Sequence, residues 1–248
     1  MARRIRGILF DLGDTLLDFG QVDAPKLFRA GARLAYDYLR RLGVALPPFW
    51  RYHRRQLRAV RWHYFISHLS GREFNSMDLI TRFSQRFGHE LTPEQLIELA
   101  WRWYRPLSRQ ADVEEGVREM LADFRRAGLV LGVVSNTFVP PQVLDRHLAN
   151  EGLLEQLPVR VYSCDVGCRK PNRRIFRLAL RRAGLNAADT MFVGDSPRAD
   201  VYGSSRVGMI SVLKDPSDRH NSGRYRPDHR VRSLSELARI VAEYEGTS

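Results

Sequence analysis

The stretch Ile8-Leu9-Phe10-Asp11-Leu12-Gly13-Asp14-Thr15-Leu16-Leu17 decides how the rest of the chain is read. An apolar run that stops at a carboxylate and passes into a glycine-containing turn predicts a buried strand that delivers Asp11 to its carboxyl end. In open α/β sheets that edge is where ligands bind. A carboxylate there acts as a nucleophile or holds a divalent cation. It does not serve packing, because an unpaired buried charge costs several kcal/mol or more.

Downstream of residue 112 the pattern alternates between helix and strand. Glu114–Ala127 is amphipathic and stops at Gly128, and the apolar run Leu129–Val134 follows, ending at Ser135-Asn136-Thr137. A helix near Val143–Asn150 leads to a strand at Val159–Ser163 and a loop carrying Arg169-Lys170-Pro171. After the helix Asn172–Ala183, the strand Thr190–Val193 runs into Gly194-Asp195-Ser196, with Asp200 just beyond. Ile210–Leu213 reads as the last core strand, Asp215–Asp228 as a loop, and Ser233–Tyr244 as a closing helix. Short βα connections of this kind predict a doubly wound, Rossmann-like α/β core: a parallel sheet with helices on both faces. Parallel strands share one carboxyl edge, so Asp11, Ser135, Lys170 and Asp195 are expected to converge there.

Residues 18–108 differ in character, with helical periodicity in Pro25–Leu42, Phe49–Leu69, Met77–Phe87 and Pro93–Tyr104 and almost nothing that reads as strand. Thr92 before Pro93 is a helix start. The expected organisation is a core made of residues 1–17 and 109–248, with an all-helical domain, 18–108, inserted into it. The aromatics Trp50, Trp62, Tyr64, Phe65, Trp101 and Trp103 are read as that insertion's own small core, and His63 and His68 as packing or surface residues.

Composition narrows the function classes. No apolar run approaches the ~20 residues that span a bilayer, and the N-terminus shows no signal-peptide core, so a soluble cytoplasmic protein without a membrane partner is expected. Cys164 and Cys168 lack a Cys/His cluster around them and read as ordinary thiols. The net charge is +12, and all but three of the 40 Lys and Arg residues are arginine. The arginines recur on unrelated helices, Arg51, Arg54, Arg55 and Arg58 on one, Arg174, Arg177 and Arg181 on another. That spread reads as solvated charged faces, and a nucleic-acid partner is not expected although the charge favours acidic ligands in general. Nothing in the sequence sets an oligomeric state.

Two carboxylates on neighbouring strand ends repel unless a cation lies between them. Oxygen-only ligands suit Mg²⁺, which takes few carboxylates, several waters and a phosphate oxygen. A lysine and a strand-end hydroxyl add what a phosphoryl group needs, positioning and charge neutralisation. With these pieces in order, the chain resembles the haloacid dehalogenase-like hydrolase superfamily, in its subgroup with a helical cap inserted after the first motif. Phe10–Leu16 is similar to the first motif, Val134-Ser135-Asn136 to the second, Arg169-Lys170-Pro171 with Ile175-Phe176 to the third, and Val193-Gly194-Asp195-Ser196 through Asp200, Gly203 and Gly208-Met209 to the fourth.

The resemblance implies a Mg²⁺-dependent phosphomonoester hydrolase acting on a small phosphorylated metabolite. It implies that Asp11 forms an aspartyl-phosphate. It also implies that Asp11, the Gly13 carbonyl and Asp195 hold Mg²⁺, with Asp200 in the outer shell. Ser135 and Lys170 would bind the phosphoryl oxygens, Lys170 would also orient Asp11, and Asn136 would line the mouth of the site. One position departs from the pattern: where phosphatases of the family carry an acid/base aspartate two residues after the nucleophile, this chain has Gly13. Either Asp14 or a residue of the helical cap takes over that role, or the chain is a catalytically weak or inactive member that binds a phosphorylated ligand or partner. Gly13 together with Asp195 argues against dehalogenation, and Lys26, the only lysine near the insertion, is a poor candidate for phosphonatase chemistry.

Overall fold

The computed structural model describes residues 4–70, 76–85, 90–219 and 224–245. Six strands form one sheet: β1 (Gly7–Phe10), β2 (Val130–Ser135), β3 (Val159–Tyr162), β4 (Thr190–Gly194), β5 (Ile210–Lys214) and β6 (His229–Val231). Their order is β3-β2-β1-β4-β5-β6, and every neighbouring pair is parallel. β1, β4 and β5 are buried along their whole length, as strands covered on both faces must be. The chain reverses direction across the sheet at β1, and the crevice above such a switch point is where doubly wound folds bind ligands.

β6 is the strand the sequence reading did not contain. At three residues, with only Val231 buried, it is too short and too polar at His229 and Arg230 to show an apolar period. Its pairing with β5 makes it legible only in three dimensions. Asp228, just before it, accepts from both the N–H and the hydroxyl of Ser211, fastening the edge.

The described residues also form the helices α1 (Ala24–Arg41), α2 (Phe49–Ser70), α3 (Ser76–Gln85), α4 (Pro93–Ser108), α5 (Val117–Arg126), α6 (Pro141–Asn150), the single turns α7 (Ser163–Val166) and α9 (Gly203–Ser205), α8 (Arg173–Ala183) and α10 (Leu237–Glu245). The start of α4 is a capping box in which Thr92 and Gln95 satisfy each other's backbone N–H groups, with Pro93 where its missing donor costs nothing. α5 begins three residues later than expected, because Gly116 takes a left-handed conformation (φ 78°) before it.

Among the described residues, α1 to α4 follow β1 without an intervening strand. The chain leaves and rejoins the α/β unit side by side: Asp18 and Asp112 exchange two backbone hydrogen bonds of 2.9 and 2.8 Å. Ala32, Tyr36, Leu39, Tyr52 and Leu99 form a buried cluster among these helices. Two of the aromatics expected there lie elsewhere: Trp50 is 54% exposed and Trp62 is 63% exposed. The reason for Trp50 is electrostatic as well as steric, since the Arg51 and Arg54 guanidinium groups sit 5.0 and 5.1 Å from its ring, on the polar side of α2. Trp101 packs instead into the main core with Tyr104, Phe10 and Val143. Tyr64, Phe65, His63 and His68 fall outside the residues whose side chains are described. Arg51, Arg54, Arg55 and Arg58 are exposed on α2, as are Arg174, Arg177 and Arg181 on or after the first turn of α8. Among the described residues no helix is long and apolar enough to cross a membrane.

The α4–α6 contact carries a buried histidine. The Tyr104 hydroxyl lies 3.0 Å from His147 Nδ1, and His147 is 1% exposed. Burial lowers its pKa to about 4 from the usual 6.5. The neutral ring is therefore the folded form, and the unfolded chain binds the extra proton between those two values. Stability is complete above pH 6.5 and falls as the pH drops through 6.5 toward 4, by roughly 3 kcal/mol for this one group. His147→Gln is expected to flatten that part of a urea-melt pH series relative to wild type; parallel slopes in both proteins would refute it.

Candidate active site

Register brings the site together. Phe10 is opposite Val133 on β2 and opposite Val193 on β4, so Asp11 emerges level with Val134 and Gly194, and Ser135 and Asp195 stand one residue beyond. The Asp11 N–H donates to the Val193 carbonyl, continuing the ladder one step past β1. Lys170 arrives from the other side, on the loop between α7 and α8.

That loop is held by Asn136. Its side-chain oxygen accepts from the Lys170 N–H at 2.7 Å and its amide donates to the Lys170 carbonyl at 3.0 Å, a two-point clamp from the end of β2 to the lysine's own backbone. The ammonium so placed lies 2.8 Å from Asp11 Oδ1 and 2.7 Å from Asp200 Oδ1, and Lys170 is buried to 4% exposure. Burial alone would discharge it, but Asp11 and Asp200 outweigh burial and hold its pKa above the ordinary value. Leu12 N–H donates to the same Asp11 Oδ1 at 2.7 Å, which fixes the carboxylate's rotation.

Asp200 sits in a short π-helical stretch, Pro197–Tyr202, and its second oxygen accepts from Ser196 N–H at 2.9 Å. Its closeness to the sheet depends on Gly194: a Cβ at that position would stand 2.4 Å from the Asp200 carboxyl carbon. Asp195, next in the chain, differs from its neighbours in having no cationic partner among the described ion pairs. Burial, then Asp11 and Asp200, push its pKa up to about 7. Asp11, Asp195 and Asp200 each offer an oxygen within 4.8 Å of the others. One ammonium faces three carboxylates here, so the donor set is all oxygen and in excess of negative charge, which fits a divalent hard cation such as Mg²⁺.

A cavity of about 320 Å³ opens over this edge, and Asp11, Gly13, Asp14, Ser135, Asn136 and Asp195 line it. Asp14 has φ 56°, in the left-handed region that Asp tolerates better than most residues, and its Oδ1 lies 3.5 Å from the Phe19 N–H. Burial of its carboxyl raises its pKa. Lys170 reaches the cavity only through Asp11. Arg169 lines the cavity directly, as do Phe19, Tyr104 and Phe138. Arg169 belongs to the Arg169-Lys170-Pro171 motif, where sequence reading gives it no role of its own beside Lys170. Phe19, Tyr104 and Phe138 are not singled out for the site by sequence, because they come from a turn, a helix and a loop that carry no motif. Lys26 is exposed on the first turn of α1, away from the lining residues.

The motif order, the parallel sheet and this carboxylate–lysine edge agree with a family-level match: residues 5–208 fit the haloacid dehalogenase-like hydrolase model. The chain belongs to that hydrolase family. Among curated members it is 33% identical over 145 residues to phosphoserine phosphatase of Thermus thermophilus, covering 58% of this chain and 57% of that relative, so the chain spans little more than half the length of that protein. It is 28% identical to phosphoglycolate phosphatase of Yersinia pseudotuberculosis, covering 85% of this chain and 81% of that one. The crystal structure of a haloacid dehalogenase-like phosphatase from Thermococcus onnurineus superimposes with a TM-score of 0.61 at 26% identity, covering 96% of this chain and 98% of the other.

Proposed function

We propose that this family member is a Mg²⁺-dependent phosphomonoester hydrolase that works through an aspartyl-phosphate, and that α1 to α4 are its helical cap over the site. The observation that carries the reading is the convergence of Asp11, Lys170, Asp195 and Asp200 at the carboxyl edge of β1 and β4, under one cavity that Ser135 also lines. The small phosphomonoesters in the names of the two curated relatives support a small phosphorylated substrate.

In this reading the Asp11 carboxylate attacks phosphorus, and the alcohol leaves as its P–O bond breaks. Lys170, held rigidly by Asn136 and Asp200, neutralises charge on the phosphoryl oxygens and keeps Asp11 in its reactive rotamer. The Ser135 hydroxyl donates to a phosphoryl oxygen. Asp11, Asp195 and the Gly13 carbonyl, with Asp200 behind them, would hold Mg²⁺, which would supply further charge neutralisation for the phosphoryl group. Asp14 is the cavity carboxyl available to protonate the leaving alcohol and then to take a proton from the water that hydrolyses the aspartyl-phosphate.

The test is turnover of 4-nitrophenyl phosphate with Mg²⁺ and after treatment with a chelator. Turnover is expected only with the metal, and restored by adding it back. Equal rates in both conditions, or none in either, would sink the proposal.

A further inference from the structure

Beside the cavity over Asp11 lies a second one of about 150 Å³. Tyr104, Leu107, Phe138 and Val139 wall both, so the two cavities stand on either side of a shared partition. Leu27 and Phe28 of α1 and Trp103 of α4 close the far side of the smaller one, and Ala24 stands among the residues that line it. The Phe28 and Trp103 rings meet edge to face at 4.7 Å, and Trp103 and Phe138 at 6.2 Å. These contacts brace the walls of the annex against each other.

The chemistry of the two cavities differs sharply. Among the described residues, the carboxyls and the one arginine line the larger cavity, and no charged side chain lines the annex. The one hydroxyl in its wall, on Tyr104, is occupied with His147. An ammonium, a carboxylate or a base edge placed in the annex would give up water without gaining a partner, whereas a hydrocarbon would gain from leaving water.

We propose that the annex receives the hydrocarbon end of the alcohol esterified to phosphate, so that the preferred substrates are monophosphates of apolar alcohols, short alkyl or single-ring, rather than of amino-acid or hydroxy-acid alcohols. This deepens the phosphomonoesterase reading and rests on it for the word substrate, but the annex itself is testable without chemistry. The leaving alcohol points from Asp11 past the Tyr104 and Phe138 partition, and its apolar end settles between Leu27, Phe28 and Trp103.

The experiment is calorimetric titration of the Mg²⁺-loaded protein with methyl-, propyl- and hexylphosphonate, which cannot be hydrolysed, alongside hydrolysis of the matching alkyl phosphates. The expected result is a Kd that falls about fourfold per methylene over the first carbons and levels off once the annex is full. Ala24→Trp, at an exposed position lining the annex, and Leu27→Lys, inside it, are each expected to flatten the series while methylphosphonate binds as in wild type. Two variants guard against a fold defect in either. A flat series in wild type, a series in which nothing binds, or a steep one unchanged in both variants overturns the annex. A steep phosphonate series with no hydrolysis of any alkyl phosphate keeps the annex and overturns the phosphatase reading instead.

Discussion

Asp11→Asn is expected to lower kcat for 4-nitrophenyl phosphate by about 10⁴-fold or more, the scale on which removal of a covalent nucleophile acts, while leaving the melting temperature unchanged or slightly raised. The two halves follow from the same geometry. An amide is too poor a nucleophile to form the phosphoryl intermediate. Its oxygen still accepts from Leu12 N–H and from Lys170, so neither of the contacts that hold residue 11 is left without a partner. Lys170 keeps a full counter-charge in Asp200 at 2.7 Å. Removing one of three carboxylates that lie within 4.8 Å of each other also relieves part of the repulsion that, after burial, pushes Asp195 up to about 7. Loss of activity accompanied by a large fall in melting temperature would show that Asp11 is needed for the fold, and residual turnover within tenfold of wild type would remove it from the nucleophile's place.

The parts of this site that could be read from the chain are those where one residue's type and position carry the argument. A buried run ending in a carboxylate twice, at Asp11 and Asp195, fixes two strand ends. Parallel pairing then does the rest, because Phe10 meets both Val133 and Val193 in register. What escaped the sequence depends on partners far away in the chain. Asn136 is read from sequence as a residue at the mouth of the site, yet both of its side-chain polar groups are spent on the Lys170 backbone 34 residues later, a bond no local pattern encodes. Trp50 and Trp62 are large and apolar, and periodicity alone puts them inside; both are exposed on α2, Trp50 with the Arg51 and Arg54 guanidinium groups over its ring. Trp103 packs against the cluster of the helical insertion as expected, and it also walls the annex and touches Phe138 from the α/β unit, which the period did not show. Amphipathic period marks which face of a helix turns inward, but not whether it meets a neighbour or a cavity.

Asp14 stands one residue past the usual acid/base position with Oδ1 turned toward the Phe19 N–H at 3.5 Å, a poor placement for proton transfer. Gly13→Asp is therefore expected to raise kcat for the same aryl phosphate by about 10²-fold, the lower end of the 10²–10⁴ that a positioned acid/base supplies. The position accepts a side chain. A Cβ on Gly13 would stand 3.5 Å from the nearest ring carbon of Phe19, an ordinary contact, and the residue is not in the left-handed region that reserves a site for glycine. It lines the same cavity as Asp11 and Asp14, so a carboxyl there enters at the reacting end rather than at the annex. The new charge joins Asp11, Asp14 and Asp195 and strengthens the demand for the cation, so the gain is expected to grow with Mg²⁺ concentration before it saturates. Asp14→Asn divides the explanations. If Asp14 carries the proton in the wild type, that variant loses turnover and Gly13→Asp restores it in the double variant. If the wild type and Asp14→Asn are equally slow and only Gly13→Asp turns over, the natural protein holds a phosphoryl group in a site that lacks its proton carrier, and binding a phosphorylated ligand becomes its better description. No gain from Gly13→Asp in a folded, Mg²⁺-loaded protein would mean that proton transfer is not what limits this site, either because Asp14 already supplies it or because the slow step is a conformational opening or the release of phosphate.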